Sequence, residues 1–126
     1  MLNDEKRTAL QWLETNAARL SEFHLAIWAH AESVWREYRS AADYVSLLES
    51  EGFSVESGSG EMPTAFVATW GRGEPVIAAY AEYDAVPGNS QQAVPRRAPR
   101  EGSADSGSSG QWCFGYLPRK SFRTSK

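Results

Sequence analysis

The first half of the chain repeats its apolar residues at helical spacing. Asn3 is suited to cap a first helix, and Asp4 and Glu5 follow where the helix dipole favours negative charge. The apolar face of this first helix comprises Leu10, Leu13, Ala17 and Leu20. A second helix is predicted to begin at Ser21 and to hold one face as far as Tyr38. That face comprises Leu20, Phe23, Ile27, Ala31, Val34 and Tyr38.

A third helix is predicted to begin at Ser40. Asp43 follows three positions later, which is a variant of the capping box. The buried face of this helix comprises Ala41, Tyr44, Val45 and Leu48. Gly52 is expected to end it, because glycine takes the left-handed conformation at no steric cost.

The hydrophobic pattern changes to that of strands after Phe53. Phe53 and Val55 alternate with polar residues, residues 58–60 form a break, and Thr64–Trp70 is rich in β-formers. Val76–Tyr80 is a continuous apolar run, which predicts a strand buried on both faces. Helices followed by strands predict an α/β fold, which becomes α+β in a fragment: N-terminal helices on a small partial sheet. A parallel sheet of only two or three strands is expected to be marginal.

Composition indicates one modest folded domain. The chain has 126 residues, 41% of them hydrophobic, and five tryptophans. Its single cysteine, Cys113, cannot form an internal disulfide. No secretory signal or membrane-spanning run is present in the sequence. We therefore expect a cytoplasmic protein without a membrane partner.

The charge divides the chain in two. Residues 1–92 carry 14 acidic and 6 basic residues, whereas residues 93–126 carry 2 acidic and 7 basic residues. Residues 102–110 contain no large apolar residue and are typical of a linker. We expect a partial catalytic domain at residues 1–101 and a divergent, disordered Ser/Gly/Arg-rich tail at 102–126. A basic tail without a fold is weak evidence for nucleic-acid binding, so no nucleic-acid partner is expected.

Two carboxylates follow the last predicted strand. Glu82 and Asp84 are separated by one residue, and Pro87 then turns the chain. Ligands of open α/β sheets gather beyond the carboxyl ends of strands, so this acidic turn is a candidate cation site. The alternative interpretation is an acidic strand end followed by a turn.

The other candidate residues do not assemble a catalytic set. His24 and His30 are six residues apart, which does not place them on one helix face, so each is interpreted as a surface or helix-packing histidine. Cys113 has no partner at zinc-ligand spacing. Ser90 lacks the context of a nucleophile elbow.

The chain resembles the aminoacylase-type metallopeptidase family, and most of all its branch of aminobenzoyl-glutamate hydrolases and related amidohydrolases. The resemblance covers roughly residues 20–101. Its most specific part is the acidic turn with the strand before it. The segments that carry it are Phe66–Ala68 with Gly71, Pro75–Ile77 and Ala81–Gln91, supported upstream by Trp28, Ala31–Glu32, Glu37, Arg39–Ala41, Leu47–Glu49 and Gly52–Phe53.

This resemblance implies a two-domain hydrolase that binds one or two divalent metals, usually zinc. Metal-activated water would hydrolyse an amide or peptide bond of a small acyl-amino acid or dipeptide-like substrate, with a glutamate as general base. At the position of Glu82 many relatives have a metal-binding histidine, and this branch commonly has an acid. The resemblance therefore implies Glu82 as a metal ligand and Asp84 as the carboxylate that orients it.

The family's pattern stops after Gly102. The family continues with a histidine- or cysteine-bearing metal motif, a glutamate pair and further histidines, and none of these follows here. We expect a truncated or misread family member, inactive alone and without a stably bound metal. Two alternatives stay open: a non-catalytic module that associates with itself or with a full-length relative, and a small enzyme in its own right.

Overall fold

The computed structural model of the chain describes residues 3–87 and 91–100. They form two α-helices that pack on a two-stranded antiparallel sheet. The elements in chain order are α1 (Asp4–His30), α2 (Tyr38–Ser50), β1 (Ser54–Ser57), a short 3-10 helix (Ser59–Glu61) and β2 (Phe66–Thr69). This arrangement confirms the α+β form expected of a fragment.

Helix α1 is one continuous helix where two were predicted. Asn3 caps it as expected, and its side-chain oxygen accepts a hydrogen bond from the Lys6 amide at 3.0 Å. The predicted break at Ser21 is wrong. No glycine or proline occurs between Asp4 and His30, so the helical hydrogen bonds run through this serine, which costs little inside a helix.

Helix α1 ends at His30, and the predicted extension of its apolar face to Tyr38 is wrong. Ala31 takes a left-handed conformation (φ 48°), as does Trp35 (φ 67°), so the chain leaves the helix axis. The side chain of Val34 is 59% exposed. The turn brings the Glu32 carboxylate to the start of α2, where it accepts hydrogen bonds from Arg39 and Ser40.

Helix α2 begins two residues before the predicted Ser40. Ser40 therefore lies inside the helix and does not cap it with its own side chain. The predicted end is confirmed: Gly52 is left-handed (φ 83°), and the Phe53 amide donates to the Leu48 carbonyl at 3.0 Å.

The two strands predicted around the Gly-Ser-Gly break are confirmed as a hairpin. Ser54 pairs with Thr69 and Ser57 with Phe66. The sheet is antiparallel, which corrects the expectation of a parallel one, because consecutive strands joined by a short turn pair in opposite directions.

The predicted buried strand Val76–Tyr80 is wrong for the described structure. This segment forms no strand, and the side chains of Val76, Ile77 and Tyr80 are 79%, 79% and 82% exposed. A strand buried on both faces needs neighbouring strands and covering layers. Within residues 3–87 and 91–100, none of the elements supplies them here.

An aromatic cluster joins the helices to the sheet and to the acidic turn. Tyr44 of α2 is only 5% exposed and lies at its centre. Its ring centroid is 4.9 Å from that of Phe23, 6.2 Å from that of Phe66 and 5.2 Å from that of Tyr83. These separations are those of favourable aromatic pairs.

The last described segment returns to the first helix. The guanidinium carbon of Arg100 lies 4.3 Å from the centroid of the Trp28 ring, a cation–π distance.

The predicted tail at 102–126, including Cys113, lies outside the described residues, as does Ser90. None of the described helices combines the length and the apolar character that a bilayer crossing requires.

Candidate functional site

The acidic turn, residues 81–87, docks one set of its side chains on the aromatic cluster. Tyr83 is half-buried against Tyr44, and Ala85 is only 3% exposed. Glu82 is exposed and Asp84 is half-buried. Burial of Tyr83 and Ala85 holds the turn against the core and leaves the Glu82 side chain exposed.

Two hydrogen bonds fix the turn on either side of Asp84. The Tyr83 hydroxyl donates to the backbone carbonyl of Thr64. The Ala85 amide donates to the backbone carbonyl of Glu32 at 2.7 Å. The turn is therefore held both to the segment before β2 and to the loop between the helices.

The Glu32 carboxylate caps helix α2 from outside the helix. One of its oxygens accepts from the Arg39 amide at 3.1 Å and from Arg39 Nε at 3.2 Å. The other accepts from the Ser40 amide and the Ser40 hydroxyl, both at 2.8 Å. The carboxylate thereby satisfies two helix-start amides that have no partner within the helix.

The ionised form of Glu32 is favoured despite partial burial. Burial pushes the pKa of Glu32 upward, but the amides and side chains of Ser40 and Arg39 outweigh it, and the pKa lies below its ordinary value of 4.5. The positive end of the α2 dipole acts in the same direction. Glu32 therefore stays charged at neutral pH.

A second carboxylate, Glu37, lies in the interior. It is 6% exposed, and its two oxygens accept from the Thr64 hydroxyl at 2.7 Å and from the Trp35 amide at 3.0 Å. Burial, together with the negative charge of Glu37, raises the pKa of Tyr83 to about 12. Tyr83 is thus held in its neutral form, in which it donates its hydrogen bond to Thr64.

These contacts form a ring of hydrogen bonds around the turn. We call it the anchoring ring; its members are Glu32, Glu37, Thr64, Tyr83 and Ala85. Thr64 joins Glu37 to Tyr83, and Glu32 joins Ala85 to helix α2. The chain between Glu32 and Glu37 closes the ring.

Sequence reasoning did not assign a structural role to Glu32 or Glu37. Both appeared only as residues that support the resemblance, within a helix predicted to continue to Tyr38. Val34 and Tyr38 continue the helical apolar spacing, so periodicity gave no signal of the turn between the helices.

The described residues do not by themselves fit a complete hydrolytic metal centre. A catalytic zinc ion takes three protein ligands. Within residues 3–87 and 91–100, no group of three or more His, Cys, Asp or Glu side chains is placed to hold an ion. The two predicted residues, Glu82 and Asp84, both lie in the acidic turn, and neither belongs to such a group.

The histidines match their sequence interpretation. His30 Nε2 lies 2.7 Å from an Asp43 carboxylate oxygen, so His30 joins α1 to α2. His24 is exposed on α1. Neither is grouped with the acidic turn.

A groove of about 380 Å³ lies between α2 and the segment that leads into β2. Its walls include Ala41, Val45, Pro63 and Phe66. Glu82 and Asp84 are not among the residues that line it. The groove is therefore separate from the carboxylates predicted to carry the chemistry.

Comparison with known proteins gives the class first. No protein-family model and no solved structure matches the chain. A hydrolase does match: the chain is similar to part of a hydrolase, which supports a hydrolase-family fragment.

That relative is a subunit of the p-aminobenzoyl-glutamate hydrolase of Escherichia coli (strain K12). It is 44% identical over 81 residues, which are 64% of this chain and 17% of the relative. The chain thus spans about a sixth of the length of the relative it matches. The similarity confirms the resemblance expected from the sequence and supports a fragment of an aminobenzoyl-glutamate hydrolase-like protein.

Proposed function

We propose that this chain is part of a metal-dependent amide hydrolase and does not turn over substrate alone. The observation that carries the proposal is the 44% identity over 81 residues to a named hydrolase. The substrates would be small acyl-amino acids or dipeptide-like amides, with p-aminobenzoyl-glutamate as the first candidate. Zinc or another divalent ion would be the cofactor of the complete enzyme.

The acidic turn would be this chain's contribution to the metal site. Glu82 is the proposed ligand, because its carboxylate is exposed and free of the hydrogen bonds that occupy Glu32 and Glu37. Asp84 is the proposed orienting carboxylate, because it lies between the two anchored residues Tyr83 and Ala85. Two carboxylates are too few to activate water, so the remaining ligands and the base would come from elsewhere.

A chimera tests the proposal. The aligned 81 residues of the E. coli hydrolase are replaced by those of this chain, and hydrolysis of p-aminobenzoyl-glutamate is followed with added Zn²⁺ or Mn²⁺. We expect the chimera to hydrolyse substrate and the 126-residue chain alone to show no turnover. Within the chimera, Asp84→Asn is expected to lower activity or metal affinity about 10- to 100-fold. Glu82→Gln is expected to cost more.

Glu56→Gln is the matched control, because Glu56 is an exposed carboxylate on β1 and should leave the chimera's activity unchanged. A folded chimera without activity would contradict the proposal for the stretch as a whole. Full activity of the Glu82→Gln and Asp84→Asn chimeras would contradict the proposed roles of the turn. Turnover by the chain alone would show that it is an enzyme in its own right.

One observation favours a second candidate function, a non-catalytic module that self-associates. Val76, Ile77 and Tyr80 lie within five residues of one another, and each is about four-fifths exposed. Exposed apolar groups close together favour association with another chain. In this alternative, the chain acts by association and the acidic turn has no chemistry.

Light scattering after size-exclusion chromatography tests the alternative. Changing Val76 and Ile77 to threonine and Tyr80 to serine is expected to weaken dimerisation at least about tenfold, because less apolar surface is buried. Val67→Thr is the control: Val67 is 54% exposed on β2, outside this segment. A wild-type chain that stays monomeric at high concentration would remove the alternative.

A further inference from the structure

We infer that Glu32, Glu37 and Thr64 are positioning residues that set the direction of Asp84 and Glu82 before any metal binds. The inference rests on the proposed function, in which these two carboxylates serve a metal site. It adds that the site depends on residues well upstream in the chain, through the anchoring ring. None of the three is proposed to touch the metal or the substrate.

Both neighbours of Asp84 in the chain are fixed. The Tyr83 ring lies on Tyr44, and its hydroxyl is bonded to Thr64. The Ala85 amide is bonded to Glu32, and its methyl group is buried. Bonds to the residues on both sides of Asp84 fix the backbone from which its carboxylate departs. Functional groups need such support, since sites without it are typically too loose by about 1 Å.

Glu32 transmits the position of helix α2 to the turn. Its carbonyl accepts from Ala85, while its carboxylate accepts four hydrogen bonds from Arg39 and Ser40. All four partners are donors, so Glu32→Gln would set an NH₂ group against an N–H group. This isosteric change should release the loop from α2, and with it the acceptor of the Ala85 amide.

Glu37 and Thr64 hold the Tyr83 side of the acidic turn, opposite the side that Glu32 holds. Thr64 is 8% exposed; its hydroxyl donates to Glu37, and its carbonyl accepts from Tyr83. The side chain of Thr64 thereby fixes the carbonyl that the turn uses. Thr64→Val removes the hydroxyl at nearly constant volume, and Thr64→Ser restores it.

Amide hydrogen exchange in the full 126-residue chain is the test. We expect Glu32→Gln and Thr64→Val to speed exchange of the Ala85 amide about tenfold, the effect of one lost hydrogen bond. Glu32→Gln should also speed exchange of the Arg39 and Ser40 amides, which lose their acceptor, with less change in the rest of α2. Thr64→Ser should restore the wild-type rate. Leu48→Ala, a core change, should instead speed exchange throughout. An Ala85 rate that is unchanged, or that rises only in step with all other amides, would overturn the inference.

The Thr64→Val and Thr64→Ser pair keeps the test decisive if Glu32→Gln does not fold. In the chimera with the E. coli hydrolase, Glu32→Gln and Thr64→Val should lower kcat per folded molecule and the bound metal per chain, while KM changes little. A purely structural role would lower the yield of folded enzyme and leave both values unchanged, which would overturn the inference. An inactive parent chimera would contradict the proposed function instead. The exchange rate of the Ala85 amide would still test whether the anchoring ring holds the turn.

Discussion

Replacing Tyr44 with alanine is expected to lower the free energy of unfolding by about 3–5 kcal/mol, the usual cost of removing a buried aromatic ring. Tyr44 is 5% exposed and has three ring neighbours: Phe23 of α1, Phe66 of β2 and Tyr83 of the acidic turn. Its removal leaves a cavity where both helices, the sheet and the turn meet. A loss of this size is comparable to the whole stability of many small domains, so the variant is expected to be largely unfolded.

Urea denaturation followed by circular dichroism measures this loss. Tyr80→Ala is the matched control, because it removes the same side chain from a position that is 82% exposed and should change stability by no more than about 0.5 kcal/mol. Similar losses for the two variants would mean that the aromatic cluster does not form the core. Because both variants replace a tyrosine with alanine, a difference in their stability must come from the position and not from the residue type.

Replacing Glu37 with alanine is expected to destabilise the chain by about 2–4 kcal/mol. The change leaves the Thr64 hydroxyl and the Trp35 amide without their acceptor in a poorly hydrated place, and each unsatisfied buried donor costs about 1–3 kcal/mol. Removing the negative charge also removes one of the two causes that raise the pKa of Tyr83. The variant should therefore combine lower stability with easier ionisation of Tyr83.

Glu56→Ala is the control for this variant, because Glu56 is an exposed acid and its loss should change stability by less than about 0.5 kcal/mol. Stability comes from urea denaturation, and phenolate formation from absorbance in a titration through the pKa of Tyr83. A Glu37→Ala chain as stable as wild type would show that this buried carboxylate contributes nothing net. That outcome is known for some buried charges, where desolvation cancels the gain.

The elements predicted correctly are those whose signals are local. Asn3 and Gly52 mark helix ends through their own backbone and side-chain preferences, and the hairpin follows from a Gly-rich break between two β-forming runs. Ser21 misled because a serine that caps one helix is also tolerated inside another. Val76–Tyr80 misled because burial on two faces depends on neighbours, which a run of apolar letters does not specify.

The candidate site divides in the same way. Glu82 and Asp84 can be proposed from sequence because they are close together in a short motif after an apolar run, and their role stays a prediction. Glu32 and Glu37 are not, because their partners lie across a turn or on another element: Ser40, Thr64 and Ala85. Periodicity reports which face a residue shares with its neighbours, not which distant amide its carboxylate will meet.

The hydrogen bonds at Tyr83 and Ala85 mean that the acidic turn is not portable. A synthetic peptide with the sequence of residues 81–87 would lack Thr64 and Glu32, whose carbonyls accept those bonds. Copying the motif into another scaffold would transfer its carboxylates but not their direction. An unrelated protein that happens to contain this short sequence would therefore have the two carboxylates without the backbone that holds them in place. It would need two carbonyl groups placed like those of Thr64 and Glu32.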